Sequence, residues 1–148
     1  MKRKTVTIVL VLISWAMLVN AQTFTLSKFE SERDQLAHKL EISASKAHKL
    51  EKSFDLLDKQ LLKLNTEMKG KSKSQVKGLI EKKYKKASES MSSFLTPSEY
   101  KQVQALNSRQ MSTITNHLTG KNGVFGKNAE SSTAIVVGTC IVMDTAKR

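Results

Sequence analysis

This sequence contains few of the residues that form disulfides, tight turns or aromatic cores. Its 148 residues include one cysteine, one proline and one tryptophan, and only 5% of them are aromatic. The single cysteine, Cys140, cannot form an internal disulfide, so packing alone must hold the fold. An intermolecular bridge through Cys140 and an inert thiol both remain open. A core of leucine, isoleucine and methionine favours a thin helical assembly over a thick globule.

The sequence also lacks the motifs of common catalytic and metal sites. It has no Gly-x-Ser-x-Gly, no His-Glu-x-x-His and no glycine-rich phosphate-binding loop. Glu30, Glu32 and Asp34 are acidic neighbours, but their spacing on a helix does not bring all three together. His38 and His48 can share one side of a helix, although histidines at this spacing are more often surface residues than ligands. We therefore predict no enzymatic activity, no cofactor and no metal site.

The first 21 residues have the pattern of a secretory signal. A basic start at residues 2–4 precedes an apolar run over residues 6–19, and small residues lie at the positions that a signal peptidase reads. The apolar run is shorter than the about 20 residues that a membrane-spanning helix needs. We predict cleavage between Ala21 and Gln22, periplasmic or secreted localisation, and no transmembrane anchor. A helical domain over residues 22–120 and a tail over residues 121–148 would follow.

Positive charge is concentrated in one stretch of the chain. Loss of the signal would lower the formal net charge from +12 to +9, and residues 69–86 alone carry eight lysines and one glutamate. These lysines are Lys69, Lys71, Lys73, Lys77, Lys82, Lys83, Lys85 and Lys86. They are either a solubilising surface or a surface that attracts acidic polypeptides or an envelope polyanion. Nucleic acid is not the expected partner, because the chain has an export signal and Tyr84 alone offers little base stacking.

A seam of apolar residues predicts a helix over residues 44–68. The residues are spaced alternately three and four apart, as in an amphipathic helix that packs against another helix. They are Ala47, Leu50, Phe54, Leu57, Leu61, Leu64 and Met68. An earlier helix, with Phe29, Leu36 and Leu40 on its apolar side, is expected upstream.

The stretch after this helix predicts a turn and a second helix. Gly70 can adopt the left-handed conformation that ends a helix, and Ser72 with Gln75 matches a capping box. The next apolar seam is again spaced in threes and fours, with Val76, Ile80, Tyr84, Ala87, Met91 and Phe94. Because the connection is short, the two helices should form an antiparallel hairpin.

The only proline lies in "FLTPSEYKQVQAL", where one helix should stop and another begin. Thr96 is placed as the N-cap, Pro97 as the first helical residue, and Glu99 as the residue that completes a capping box. Leu95 can pack onto the new helix from outside it. Proline also disfavours helical geometry at Thr96. The new helix should continue through an apolar face and end at Gly120; that face comprises Tyr100, Val103, Leu106, Met111, Ile114 and Leu118.

The tail after Gly120 differs in composition from the helices. A Gly/Asn-rich loop precedes residues 133–143, which are rich in β-branched residues and resemble a single strand. No other segment of the sequence looks like a partner strand. Packing on the helices, pairing between chains and disorder are all open for this tail.

Two helix starts resemble a known family. Ile42-Ser43 and Leu95-Thr96-Pro97, with Glu99 three residues after Thr96, are similar to the paired Leu-Thr-x-x-Gln motifs of the periplasmic Spy/CpxP family. Lys46 departs from this pattern, because a lysine cannot accept the N–H that closes a capping box. The resemblance implies a bent helical hairpin, often paired into a curved homodimer. It also implies binding of unfolded proteins without ATP, or inhibition or sensing in envelope stress signalling.

The fold expected from these observations is all-α: a bent antiparallel hairpin with a third and fourth helix and a poorly defined apolar tail. The expected function is ATP-independent, chaperone-like holding of unfolded or acidic polypeptides. The alternative is an envelope-stress or metal-responsive regulator that docks one signalling protein. The lysines of residues 69–86 would attract the partner, and apolar residues on a concave face would contact it.

Overall fold

Four long helices and one short parallel sheet make up the described fold. The structure, a computed structural model, describes residues 23–120, 123–125, 134 and 140–143. Its elements are β1 (Phe24–Thr25), α1 (Ser27–Lys39), α2 (Ala44–Leu62), the single-turn α3 (Leu64–Glu67), α4 (Lys73–Ser92), α5 (Pro97–Thr119) and β2 (Ile141–Val142). The predicted all-α class is confirmed. The predicted signal segment and its cleavage site lie outside the described residues.

Side-chain caps begin three of the long helices, as the sequence predicts. Ser43 begins α2 and accepts a hydrogen bond from the backbone N–H of the third helical residue. At α4, the Ser72 hydroxyl accepts from the Gln75 N–H at 3.2 Å, and the Ser72 N–H donates to Gln75 Oε1 at 2.9 Å. At α5, Thr96 and Glu99 make the same reciprocal pair, at 3.3 and 3.2 Å. Each hydroxyl thus satisfies a backbone donor that helical geometry leaves without a partner.

The predicted helix over residues 44–68 is interrupted at Lys63, which separates α2 from α3. Lys63 keeps right-handed backbone angles, φ −63° and ψ −21°, so the apolar seam stays in phase across the interruption. Leu61 and Leu64, on either side of it, are both fully buried. Gly70 has φ +70°, the left-handed conformation expected where a helix ends.

The corner at Thr96 reverses the direction of the chain. Pro97 is in the first turn of α5, where its missing N–H costs no hydrogen bond. Helix α5 packs back along α4, and Asn107 Nδ2 donates to Ser88 Oγ of α4 at 3.3 Å. The same helix also contacts α1, while α2 packs along α4. Since α2, α4 and α5 follow one another through short connections, successive long helices run antiparallel.

One core joins all the helices. The two seams predicted for α2 and α4 meet in it, and residues of α5 and of the described tail complete it. Fully buried members from the helices include Leu57, Leu61, Met68, Val76, Ile80, Met91, Val103, Ile114 and Leu118. Val124, Phe125 and Ile141 of the tail are also buried in this cluster.

The tail has a partner strand that the sequence analysis missed. β1 and β2 pair in parallel, with Phe24 opposite Ile141 and Thr25 opposite Val142. Two residues suffice for this pairing, because Asn65 supplies further hydrogen bonds. Its Oδ1 accepts from the N–H groups of Cys140 and Ile141 at 2.9 and 2.8 Å, and its Nδ2 donates to the Ile141 carbonyl at 2.9 Å. The described part of the tail therefore packs on the helices and pairs within its own chain.

Candidate binding surfaces

Six of the eight predicted lysines lie on the surface of α4 and of the turn before it. These exposed residues are Lys69, Lys71, Lys77, Lys82, Lys85 and Lys86, which we call the lysine surface. In α4, Lys82, Lys85 and Lys86 lie on the side away from the buried Val76, Ile80 and Tyr84, and Lys77 lies at the edge of the buried side. Because the helix is buried along one side only, its positive charges point into water together.

The other two predicted lysines have structural contacts. Lys83 Nζ lies 2.7 Å from a carboxylate oxygen of Glu67 and is largely covered. Lys73 Nζ lies 5.7 Å from the ring centroid of Phe125, within the range of a cation–π contact. These two contacts fasten the start and middle of α4 to neighbouring segments, and the lysine surface is defined by the six exposed lysines.

A groove between α4 and α5 borders the lysine surface. Its volume is about 630 Å³, and Lys82 and Lys85 line it together with Tyr100, Gln104 and Met111. Tyr100 and Met111 are half-buried, so the groove offers apolar and aromatic surface beside the two lysines. Glu81 and Glu89 balance the charge of the groove lining itself. The excess positive charge therefore comes from the neighbouring lysines and not from the groove.

The exposed apolar surface expected on a concave face is small. Among the described residues, Leu56 is the large apolar side chain that stands exposed, at 60%. It lies on α2 and does not line the groove between α4 and α5. Apolar contact on the lysine side of the molecule thus depends on half-buried side chains.

The two helix starts that carry the family resemblance come together in space. Lys46 of α2 and Glu99 of α5 occupy the same position after their caps, and Lys46 Nζ lies 3.0 and 3.1 Å from the two Glu99 carboxylate oxygens. The pKa of Glu99 is lowered, mainly by the hydrogen bond from Lys46. Burial acts in the opposite direction and is the smaller effect. Lys46, the residue that departs from the family pattern, therefore links α2 to α5 through its ion pair with Glu99. Ile42 is half-buried and Leu95 is buried beside these starts.

A buried polar network joins three helices, and the sequence analysis did not identify it. Arg33 of α1 forms a two-pronged ion pair with Asp58 of α2, at 2.8 and 2.9 Å. Arg33 Nε also donates to Gln110 Oε1 of α5 at 3.3 Å, and the guanidinium carbon lies 4.5 Å from the Phe54 ring centroid. Gln110 Nε2 in turn donates to Glu32 Oε2 at 3.0 Å and to the Phe29 carbonyl at 3.3 Å. Arg33 thus fixes how α1 lies against α2 and α5.

Burial controls the protonation of the groups near this network. It raises the pKa of Asp58, although the hydrogen bond and charge of Arg33 act in the opposite direction. It also raises the pKa of Tyr84, whose hydroxyl has no hydrogen-bond partner within the described residues. Burial likewise raises the pKa of the Cys140 thiol, which disfavours the reactive thiolate.

A cleft between α1 and α2 collects the predicted histidines and several acids. His38 lines it from α1 and His48 from α2. Glu30 and Asp34 also line it, both from α1. Glu32 lies apart, bound to Gln110, so the three acidic neighbours do not converge. No group of three or more histidine, cysteine, aspartate and glutamate side chains within the described ranges could hold a metal ion.

The described helices form a bundle with two open grooves, and the lysine surface borders the groove between α4 and α5. No helix in the part of the chain that the structure describes is both long and apolar enough to cross a membrane. Comparisons with protein-family models, with curated proteins and with solved structures give no match to this chain.

Proposed function

We propose that this protein is an exported binding protein that holds unfolded or acidic polypeptides reversibly and without ATP. The observation that carries the proposal is the lysine surface on α4, which lies beside an open groove of about 630 Å³. Six exposed lysines raise the encounter rate with acidic chains over distances comparable to the Debye length.

The groove would supply short-range contact after the first encounter. Tyr100 and Met111 offer aromatic and flexible apolar surface, and Gln104 offers hydrogen bonds. Methionine adapts to partners of varied shape, which suits binding of many sequences. Because the large side chains here are only half-buried, each contact is weak and easily released.

Two further features support the proposal. The N-terminal pattern of a basic start, an apolar run and small residues is typical of exported proteins. The capping box at Thr96 and the hydroxyl cap at Ser43 begin the two helices whose sequences resemble the paired motifs of the Spy/CpxP family. In that family, small helical proteins bind unfolded chains or regulate envelope stress responses.

An aggregation assay tests the proposal. Light scattering would follow an acidic client and a basic client, each with and without this protein, at about 0.05 M and about 0.5 M salt. We expect suppression of aggregation for the acidic client at low salt and much weaker suppression at high salt. Unchanged scattering of both clients in both conditions would show that the protein does not hold unfolded chains.

Matched variants test whether the lysine surface is responsible. Lys77, Lys82, Lys85 and Lys86 would be changed to glutamine together, and suppression should fall severalfold. The control changes four exposed lysines outside the lysine surface by the same charge, namely Lys49, Lys52, Lys59 and Lys101. An equal loss in the control would assign the effect to net charge. Stable co-purification of a single envelope protein, without suppression, would instead favour the regulator.

A further inference from the structure

The cleft between α1 and α2 has a different character from the lysine surface. Helix α1 packs closely on α5, and the space between α1 and α2 is a cleft of about 640 Å³. Residues 30–38 form one wall and residues 44–58 form the other. At the helical rise per residue these walls are roughly 12 and 21 Å long, which corresponds to about two to four helical turns.

Four acidic side chains line this cleft in two pairs. Glu30 and Asp34 are one turn apart on α1, and Glu51 and Asp55 are one turn apart on α2. Within the described residues, none of the four makes an ion pair with lysine or arginine. His48 lies 3.9 Å from Glu51, and both side chains are exposed to water.

The positive charge in the cleft lining is already neutralised. Among the described residues that line the cleft, Arg33 is the only lysine or arginine, and both prongs of its guanidinium bind Asp58. Two of the acids also affect Asp58 at the floor of the cleft. The charges of Asp55 and Glu30 add to the effect of burial in raising the pKa of Asp58. The described lining, with five acidic residues and one arginine, therefore carries a formal charge of −4 on a chain whose formal net charge is +12.

Apolar side chains, some of them small, form the rest of the cleft lining. Leu50 and Phe54 are buried at its base, and Ile42 lies at the end near the connection between the helices. Ala37 and Ala47 line opposite walls. Small residues on both walls let the backbone of an inserted segment approach closely, and the buried apolar base can receive a leucine or alanine side chain.

We propose that this cleft binds a helical segment of another protein that presents lysine or arginine on both sides of an apolar stripe. Two helices form the walls, so the cleft suits an amphipathic helix lying in the groove between them. Cations one turn apart on the inserted helix would face the two acid pairs, which are spaced in the same way. This site is independent of the lysine surface, has the opposite charge and selects the opposite kind of partner.

Binding of a synthetic helix tests the proposal on the full chain. The probe is a fluorescent amphipathic peptide of about 18 residues, roughly 27 Å long when helical, with lysines flanking a leucine and alanine stripe. The comparison peptide has glutamine in place of every lysine, so neither the cleft nor the lysine surface attracts it by charge. In anisotropy titrations at about 0.05 M salt we expect saturable binding of the lysine peptide and much weaker binding of the glutamine peptide. Equal binding of both peptides would contradict the proposal.

Variants with the same change of charge locate the bound peptide. The cleft variant combines Asp34→Asn, Glu51→Gln and Asp55→Asn, and should weaken the affinity by about tenfold. The control combines Glu41→Gln, Ala105→Lys and Ser112→Lys, which change the charge by the same amount at exposed positions outside both grooves, and should stay within about twofold of the unchanged protein. A control loss as large as that of the cleft variant would overturn the assignment.

A variant that fills the cleft without changing its charge provides a second test. Ala47→Phe places a large side chain in the cleft and should abolish peptide binding, with circular dichroism and thermal unfolding used to confirm the fold. Retained affinity in a folded Ala47→Phe variant would exclude the cleft. Sedimentation at several protein concentrations tests whether a second copy of this chain occupies the cleft instead. A mass that rises in the unchanged protein and not in the cleft variant would assign the cleft to a second copy, and the proposal would be wrong.

Discussion

Two pairs of helices consecutive in the chain, α1 with α2 (the first hairpin) and α4 with α5 (the second hairpin), are held together by different physical means. In the second hairpin, apolar residues of α4 and α5 meet in a continuous buried seam that includes Ile80, Val103 and Ile114. In the first hairpin, the helices are separated by a cleft, and the buried Arg33–Asp58 ion pair spans them.

The difference shows how a bundle can keep a groove open without losing its arrangement. Apolar contact is non-directional and favours closing any gap between helices. A buried ion pair contributes little net stability, because desolvation offsets most of the attraction, but its geometry is demanding. In this protein the Arg33 network sets the position of α1 on α2 and α5, which leaves the cleft between the walls.

Breaking the ion pair should have the largest effect on stability. Asp58→Ala leaves the Arg33 guanidinium buried without its counter-ion, and the free energy of unfolding should fall by about 3 to 5 kcal/mol. The double variant Arg33→Met with Asp58→Leu removes both charges and should recover most of that loss. Urea unfolding followed by circular dichroism measures both values. A loss below about 1 kcal/mol in Asp58→Ala would mean that the pair behaves like a surface salt bridge.

Shortening a side chain in the apolar seam should lower the free energy of unfolding slightly less. The loss should grow with the side-chain volume removed. Ile80 is fully buried in α4, so Ile80→Ala should lower the free energy of unfolding by about 3 kcal/mol and Ile80→Val by about 1 kcal/mol. The same urea experiment applies. If the two substitutions had equal effects, the second hairpin would not be a close-packed seam, and the contrast with the first hairpin would disappear.

Removal of the caps should have a smaller effect that differs between the two helix starts. Thr96→Ala should cost about 1 kcal/mol, because loss of the hydroxyl bond also loosens the return bond from the residue 96 N–H to Glu99, and Ser43→Ala about 0.5 kcal/mol, because its hydroxyl bond has no return partner. Gln102→Ala, at an exposed position within α5, is the control and should change stability little. A larger cost at Ser43 than at Thr96 would argue against the role of the completed box.

The smallest expected effect is a pH dependence at the link between the hairpins. Lys46 lowers the pKa of Glu99, so the ion pair stabilises the fold above the ordinary pKa near 4.5 and the contribution is lost as pH falls through the folded pKa. Glu99→Gln keeps the capping geometry but removes the charge. The difference in melting temperature between the two proteins should therefore shrink between about pH 6 and about pH 3. A constant difference over this range would exclude ionisation of Glu99 as the cause.

Local patterns predicted the helices well and the cross-chain contacts poorly. The caps at Ser72 and Thr96 and the left-handed Gly70 follow from neighbouring residues, and all were predicted correctly. The Arg33 network escaped notice because its partners lie 25 and 77 residues away. A charged residue at a core-facing position of α1 was the signal that could have revealed it. The partner strand β1 was missed because two residues carry no periodicity.

The sequence by itself determined where α2, α4 and α5 begin and which sides of them are apolar, because capping and periodicity depend on residues within a few turns. Only the tertiary structure decided which charged residues remain exposed. Lys83 and Lys73 are taken into contacts with Glu67 and Phe125, whereas six other lysines of the same stretch stay in water. It also decided that Lys46 meets Glu99 and that two acid pairs face each other across the α1–α2 cleft. Such pairings depend on how whole helices pack against each other. Patterns among residues that are close in the chain do not contain that information.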